Sequence, residues 1–112
     1  MARISYIELP VAAIGGAKAF YEQAFGWTLT DFGPDYAATT GGDVDLGLNG
    51  DPVEATAKPL ICIQTEDIDG ARANVIAAKG HITRDIFAYP GGRRFHFTDP
   101  AGSELAVFQP DE

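Results

Sequence analysis

Arg94, His96 and Glu104 are the residues whose types and spacing best suit chemistry. They fall in two alternating runs, Arg94–Thr98 and Glu104–Gln109, joined through the turn Asp99-Pro100-Ala101-Gly102. Successive side chains of a strand point to opposite faces. Phe95, Phe97, Leu105 and Val107 therefore share one face, which should meet the helices, and Arg94, His96, Glu104, Ala106 and Phe108 share the other. His96 titrates near neutral pH, so it can act as a general base or as a hydrogen-bond donor to a ligand, and Glu8 with Glu104 could make an acid/base pair. Arg94 can clamp a carboxylate or phosphate through two parallel hydrogen bonds. The plainer alternatives are a structural pairing of His96 with Glu104 or Asp45, and an ion pair of Arg94 with Glu104 or Glu8.

An earlier strand adds Tyr6 and Glu8, which alternate with Ile7 and Leu9, and later strands add Asp45 and then Leu60, Cys62 and Gln64. A cavity that is part apolar and part ionisable suits a small polar organic molecule. The expected ligand-binding set is Tyr6, Glu8, Tyr36, Asp45, Arg94, His96, Glu104 and Phe108, with His96 and Glu104 as the candidate catalytic pair. Glu8 and Glu104 read more readily as structural ion pairs, and Tyr36 and Tyr89 either line the lip of the pocket or simply fill space. Cys62 has no basic neighbour in sequence to lower its pKa and reads as a small buried filler. His81 reads as a solvated edge residue. Gly41-Gly42 and Gly91-Gly92 open no helix behind a strand and read as hairpin turns rather than a phosphate loop.

The elements that must position these groups occur twice. The segment Tyr6–Asp31 lies over Leu60–Asp85 at an offset of 54 without a gap, with eight identities in 26 positions. Ile7 matches Ile61, Ile14 matches Ile68, Gly26 matches Gly80 and Asp31 matches Asp85. Two copies are too few for a solenoid, so the repeat predicts two like modules that complete one core. Each opens with a period-two strand and continues at helical period. Ile14, Ala17, Phe20, Tyr21, Ala24 and Phe25 make one stripe, and Ile68, Ala71, Val75 and Ala78 make the other. Gly26 and Gly80 are placed as left-handed helix stops. Asp67 can cap the second helix, whereas its counterpart is Ala13, a loss of about 1 kcal/mol for the first.

Three strands follow each helix: Trp27–Phe32, Tyr36–Thr40 and Val44–Leu48, then His81–Phe87, Arg94–Thr98 and Glu104–Gln109. The expected fold is α+β, a single domain over 1–112 built of two βαβββ modules. Module one covers about 1–52, a linker about 51–59, and module two about 58–112. Both helices should cover one face of a curled mixed sheet whose other face is a concave cavity. The loops at 33–36 and 87–92 set its volume.

The chain's 112 residues, 46% hydrophobic, suit one compact domain and not a multidomain enzyme. A net charge of −8, with no basic cluster larger than Arg93-Arg94, argues against nucleic acid as partner. No apolar stretch approaches the roughly 20 residues that cross a bilayer. One cysteine and a start without a leader-like apolar run fit a reduced, cytoplasmic protein.

Glu8-Leu9-Pro10-Val11, Ala19-Phe20-Tyr21, Phe25-Gly26-Trp27 and Phe97-Thr98-Asp99-Pro100-Ala101-Gly102 resemble the vicinal-oxygen-chelate superfamily, which includes glyoxalase I, bleomycin-resistance proteins, extradiol dioxygenases and fosfomycin-resistance enzymes. The resemblance spans nearly the whole chain and implies paired βαβββ modules, often dimeric, curled around a ligand cavity. It places the divalent-ion ligands of the metal-dependent members on Tyr6, Gly47, Leu60 and Ala106. Three of these offer no side-chain donor, and a divalent site needs three or more ligands. The expectation is a homodimer that binds a small organic ligand without metal or other cofactor. The alternative is a glyoxalase-related lyase or isomerase, either metal-free with His96 as base or with an unconventional metal set. A dimeric interaction module with an incidental cavity is the third reading.

Overall fold

The computed structural model describes residues 2–111, and its eight strands and two helices give an α+β chain. The chain divides into two compact units: Tyr6–Leu60, and the segment up to Ser5 joined with the chain from Ile61 onward. Each follows the order βαβββ read from the repeat.

The Tyr6–Leu60 unit contains most of β1 (Arg3–Pro10), then α1 (Ile14–Phe25), β2 (Thr30–Asp31), β3 (Tyr36–Ala38) and β4 (Asp45–Asn49). β1 runs parallel to β4, and β2, β3 and β4 follow one another antiparallel, so the local order is β2-β3-β4-β1. Leu29, Ala37 and Leu48 form the buried centre, and Leu9, Ile14, Ala17 and Tyr21 close over it. The helical stripe is narrower than its sequence suggests. Phe20 and Phe25, expected in it, are 59% and 60% exposed. Ile14, Ala17 and Tyr21 pack against the buried centre, and Phe25 instead stacks on Tyr21 and Trp27 at 6.3 and 5.1 Å. That stack draws Trp27 back to the helix, and the strand expected over 27–32 shortens to Thr30–Asp31. Gly26 ends α1 at φ 71°, as its placement predicts, and Ala13 gives no side-chain cap. The expected linker is a hydrogen-bonded turn in which Asp51 Oδ1 accepts from the Val53 and Glu54 amides at 2.9 and 3.3 Å.

The second unit contains β5 (Leu60–Gln64) from Ile61, α2 (Ile68–Ala77), β6 (His81–Tyr89), β7 (Gly92–Thr98) and β8 (Glu104–Pro110). β5 is parallel to β8, and β8, β7 and β6 are antiparallel neighbours. Phe95, Phe97, Val107 and Ile68 form its core, with Ile63, Ala71, Val75 and Leu105 around them. The apolar face of the β7–β8 hairpin thus meets α2, as alternation requires.

Asp67 Oδ1 accepts from the Gly70 amide at 3.0 Å, and Gln109 Oε1 accepts from the Ile68 amide at 3.0 Å. Two of the unpaired donors at the start of α2 are thereby satisfied. The stop is not where the repeat places it: Lys79, at φ 76°, takes the left-handed conformation. Gly80 serves close approach instead, because a Cβ there would run into the Val75 side chain. Cys62 is buried, and His81 is exposed on β6.

Candidate functional site

The expected site residues fall in both units, four in each, and each group has its own geometry. In the second unit the β7–β8 register sets Arg94 opposite Phe108, His96 opposite Ala106 and Thr98 opposite Glu104. Directly opposed residues share a face, so Arg94, His96, Glu104 and Phe108 stand together on the side away from α2. His96 is 3% exposed, and its Nδ1 lies 3.4 Å from Glu104 Oε2, which also accepts from Thr83 Oγ1 at 3.3 Å. The other ring nitrogen, Nε2, is buried without a hydrogen-bond partner among the described residues. Burial pushes the imidazole below its ordinary 6.5, and the charge of Arg94 pushes it further, against the opposing pull of Glu104. Burial and the Arg94 charge both favour the neutral ring over the imidazolium.

Two residues of this face escaped the sequence reading. Arg84 places its guanidinium carbon 3.7 Å from the centroid of the Phe87 ring, and Arg94 reaches the same ring at 5.3 Å. Three residues apart on a regular strand, Arg84 and Phe87 would point to opposite faces. The β6–β7 register shifts between them, an irregularity that re-aims the chain. The signal was the consecutive apolar pair Ile86-Phe87, which breaks the alternation. Arg94 also lies 5.7 Å from Tyr89, and the Phe87 ring stands 6.0 Å from His96.

In the Tyr6–Leu60 unit the hydroxyls of Tyr6 and Tyr36 hydrogen-bond at 2.5 Å beside buried Glu8. Burial holds the Tyr36 phenol well above the ordinary tyrosine range, and the nearby negative charge of Glu8 and the Tyr6 hydroxyl act in the same direction. This phenol stays protonated and works only as a hydrogen-bonding group. The parallel register sets Glu8 beside Gly47, where a Cβ would overlap both tyrosine hydroxyls. Asp45 spends Oδ1 on its own hairpin, accepting from Thr39 Oγ1 at 2.9 Å and the Gly42 amide at 3.2 Å. A separate open groove of about 420 Å³, lined by Trp27, Val44, Leu46 and four threonines, includes none of the expected site residues.

A sequence model of the Glyoxalase/Bleomycin resistance protein/Dioxygenase superfamily matches residues 3–107. The chain belongs to that superfamily. No curated protein matches it. Among solved structures, methylmalonyl-CoA epimerase from Mycobacterium tuberculosis superposes with a TM-score of 0.80 at 13% identity, covering 97% of this chain and 88% of that one. A superfamily member from Vibrio splendidus 12B01 gives 0.70 at 20% identity, covering 99% and 100%. The Mn(II)-bound glyoxalase from Novosphingobium aromaticivorans gives 0.69 at 21% identity over 97% of this chain and 40% of its own. At these identities the likeness establishes the fold.

Within the superfamily, the positions implied for a divalent ion are a poor donor set here. Gly47, Leu60 and Ala106 carry no ligating atom, and the Tyr6 hydroxyl is bonded to Tyr36 in the space a side chain at 47 would enter. No group of three His, Cys, Asp or Glu among the described residues could hold a metal ion. These residues do not fit the ion, and no chemistry below passes through one.

Neither helix among the described residues is long and apolar enough to cross a membrane.

Proposed function

We propose that this superfamily member binds a small organic molecule without metal, through the polar face of β7 and β8, and does so as a homodimer. The observation that carries the reading is His96: an imidazole buried on the face away from α2, with one nitrogen on Glu104 and the other unsatisfied among the described residues. A buried polar atom without a partner is costly, and natural structures keep one where it serves a purpose. The paired arginines on Phe87 add charge and a planar surface, which suit an organic ligand. Dimerisation rests on the superfamily resemblance and on the small core of each unit.

The first experiment is metal content together with thermal shift, using Zn²⁺, Ni²⁺, Mn²⁺ and Fe²⁺ and then a library of small organic acids and aromatics. The reading expects a shift with an organic compound, lost in His96→Ala, and no shift with the ions. One tightly bound ion per chain would overturn the metal-free part. A sedimentation mass near 11.9 kDa would overturn the dimer.

A metal-free lyase or isomerase is favoured by the same pair, because Glu104 orients His96 as a base is oriented for proton abstraction. Loss of turnover in His96→Ala marks the enzyme, and loss of binding alone marks the binding protein. An unchanged variant leaves an interaction module.

A further inference from the structure

We infer that the ligand presents to His96 Nε2 the O–H of a planar phenol or enol, and that this group, rather than a carboxylate, is what the face selects. This deepens the binding function proposed above and rests on it.

The tautomer follows from the neighbours. An ionised carboxylate can only accept, so Glu104 at 3.4 Å keeps the single ring proton on Nδ1. Nε2 is then a bare lone pair, buried and unpartnered among the described residues. Of the two sequence-derived roles, hydrogen-bond donor or base, only acceptor chemistry remains. A carboxylate would set lone pair against lone pair at this atom, and an ether would leave it unsatisfied.

The charged groups facing the ring from the strands packed around it are Arg84 on β6, Arg94 on β7 itself and Glu104 on β8. Two cations against one anion favour a donor whose oxygen carries electron density, as a phenol or enol oxygen does. The planar part of the ligand has a surface to meet in the Phe87 ring. Nε2 is covered, so the ligand ring must replace part of that cover. Arg94 lies farther from the Phe87 ring than Arg84 does, at 5.3 Å against 3.7 Å. When the hydrogen bond forms, the proton stays on the ligand oxygen and is shared with Nε2, so no co-reactant is needed.

The test uses three probes of one shape: 4-cyanophenol, its methyl ether 4-cyanoanisole, and 4-cyanobenzoate. Their affinities for the full-length protein are measured by calorimetry at pH 7. The inference expects the phenol to bind at least tenfold more tightly than either of the others, and expects that ratio to fall toward one in His96→Leu, which keeps the volume and removes the acceptor. Glu104→Gln, which frees the tautomer, should reduce the ratio partway while the protein stays folded by circular dichroism. An ether that binds as well as the phenol overturns the inference, and so does a benzoate that binds best. If none of the three binds while other organic molecules do, the ligand class is wrong and the binding function stands. If no compound of the wider library binds, both fall.

Discussion

The two units repeat one order of elements, yet they spend their buried volume differently. In Tyr6–Leu60 the centre is Leu29, Ala37 and Leu48, the strands after the helix are two, three and five residues long, and α1 starts on an uncapped Ala13. The second unit buries Phe95 and Phe97 with Ile68, extends its last three strands to nine, seven and seven residues, and fixes the start of α2 with Asp67 and Gln109. The repeat also carries an ion pair at matched places: Lys18 with Asp31 at 3.3 Å, and Arg72 with Asp85 at 2.8 and 3.0 Å. The first is a point contact and the second a two-pronged one, because a guanidinium matches a carboxylate edge and an ammonium does not. One module thus became a firm platform, and the other turned its polar interior over to a tyrosine pair.

The largest break in this comparison is Phe95→Ala. It should cost about 3–5 kcal/mol, because a fully buried ring leaves a cavity, and more than Leu48→Ala in the smaller core, at about 2–3 kcal/mol. Urea unfolding measures both, and equal losses would remove the asymmetry. Next in size is Gly47→Ala, expected to cost about 1–3 kcal/mol by overpacking, since its methyl group overlaps two hydroxyls. Adding Tyr36→Phe should recover part of that loss. A Gly47→Ala variant as stable as the parent would mean that the tyrosines do not fill this space.

The capping contrast can be tested in both directions. Asp67→Ala should lose about 1 kcal/mol, and Ala13→Asp should gain up to about 1 kcal/mol. Hydrogen exchange should show the first turn of α1 opening before that of α2 in the parent and not in Ala13→Asp.

The smallest effect belongs to the exposed ion pair. Hydrogen bonds from Arg72 hold the Asp85 carboxyl below its ordinary 3.8, and the Ile86 amide adds to the effect. A carboxyl depressed in the folded state contributes stability above its unfolded pKa and loses it as pH falls through the folded one. Asp85→Asn should therefore reduce stability slightly at pH 7 and leave it unchanged well below pH 3. The matched Asp31→Asn should do less at pH 7.

How much of this was legible depended on regularity. Period-two alternation placed Phe95, Phe97 and Val107 on the core and His96 opposite, and the cap at Asp67 and stop at Gly26 were written in residue types with one main use. Legibility failed where a contact overrode the local pattern. The Trp27–Phe25 stack shortened β2, the close approach of Gly80 to Val75 moved the helix stop to Lys79, and the shifted register of β6 brought Arg84 under the site face. The tautomer of His96 was also beyond the sequence, since it depends on which of the two ring nitrogens meets the carboxylate.

The irregular β6 has a second consequence. It ends the order β5-β8-β7-β6, so one side of a nine-residue strand offers its backbone to any chain that comes alongside. A flat strand of that length is a template for edge-to-edge growth into fibrils, and a kinked one with exposed Thr83 and Asp85 is not. The two register shifts that aim Arg84 also keep neighbouring copies from zipping together, so loss of the irregularity would surface as insolubility.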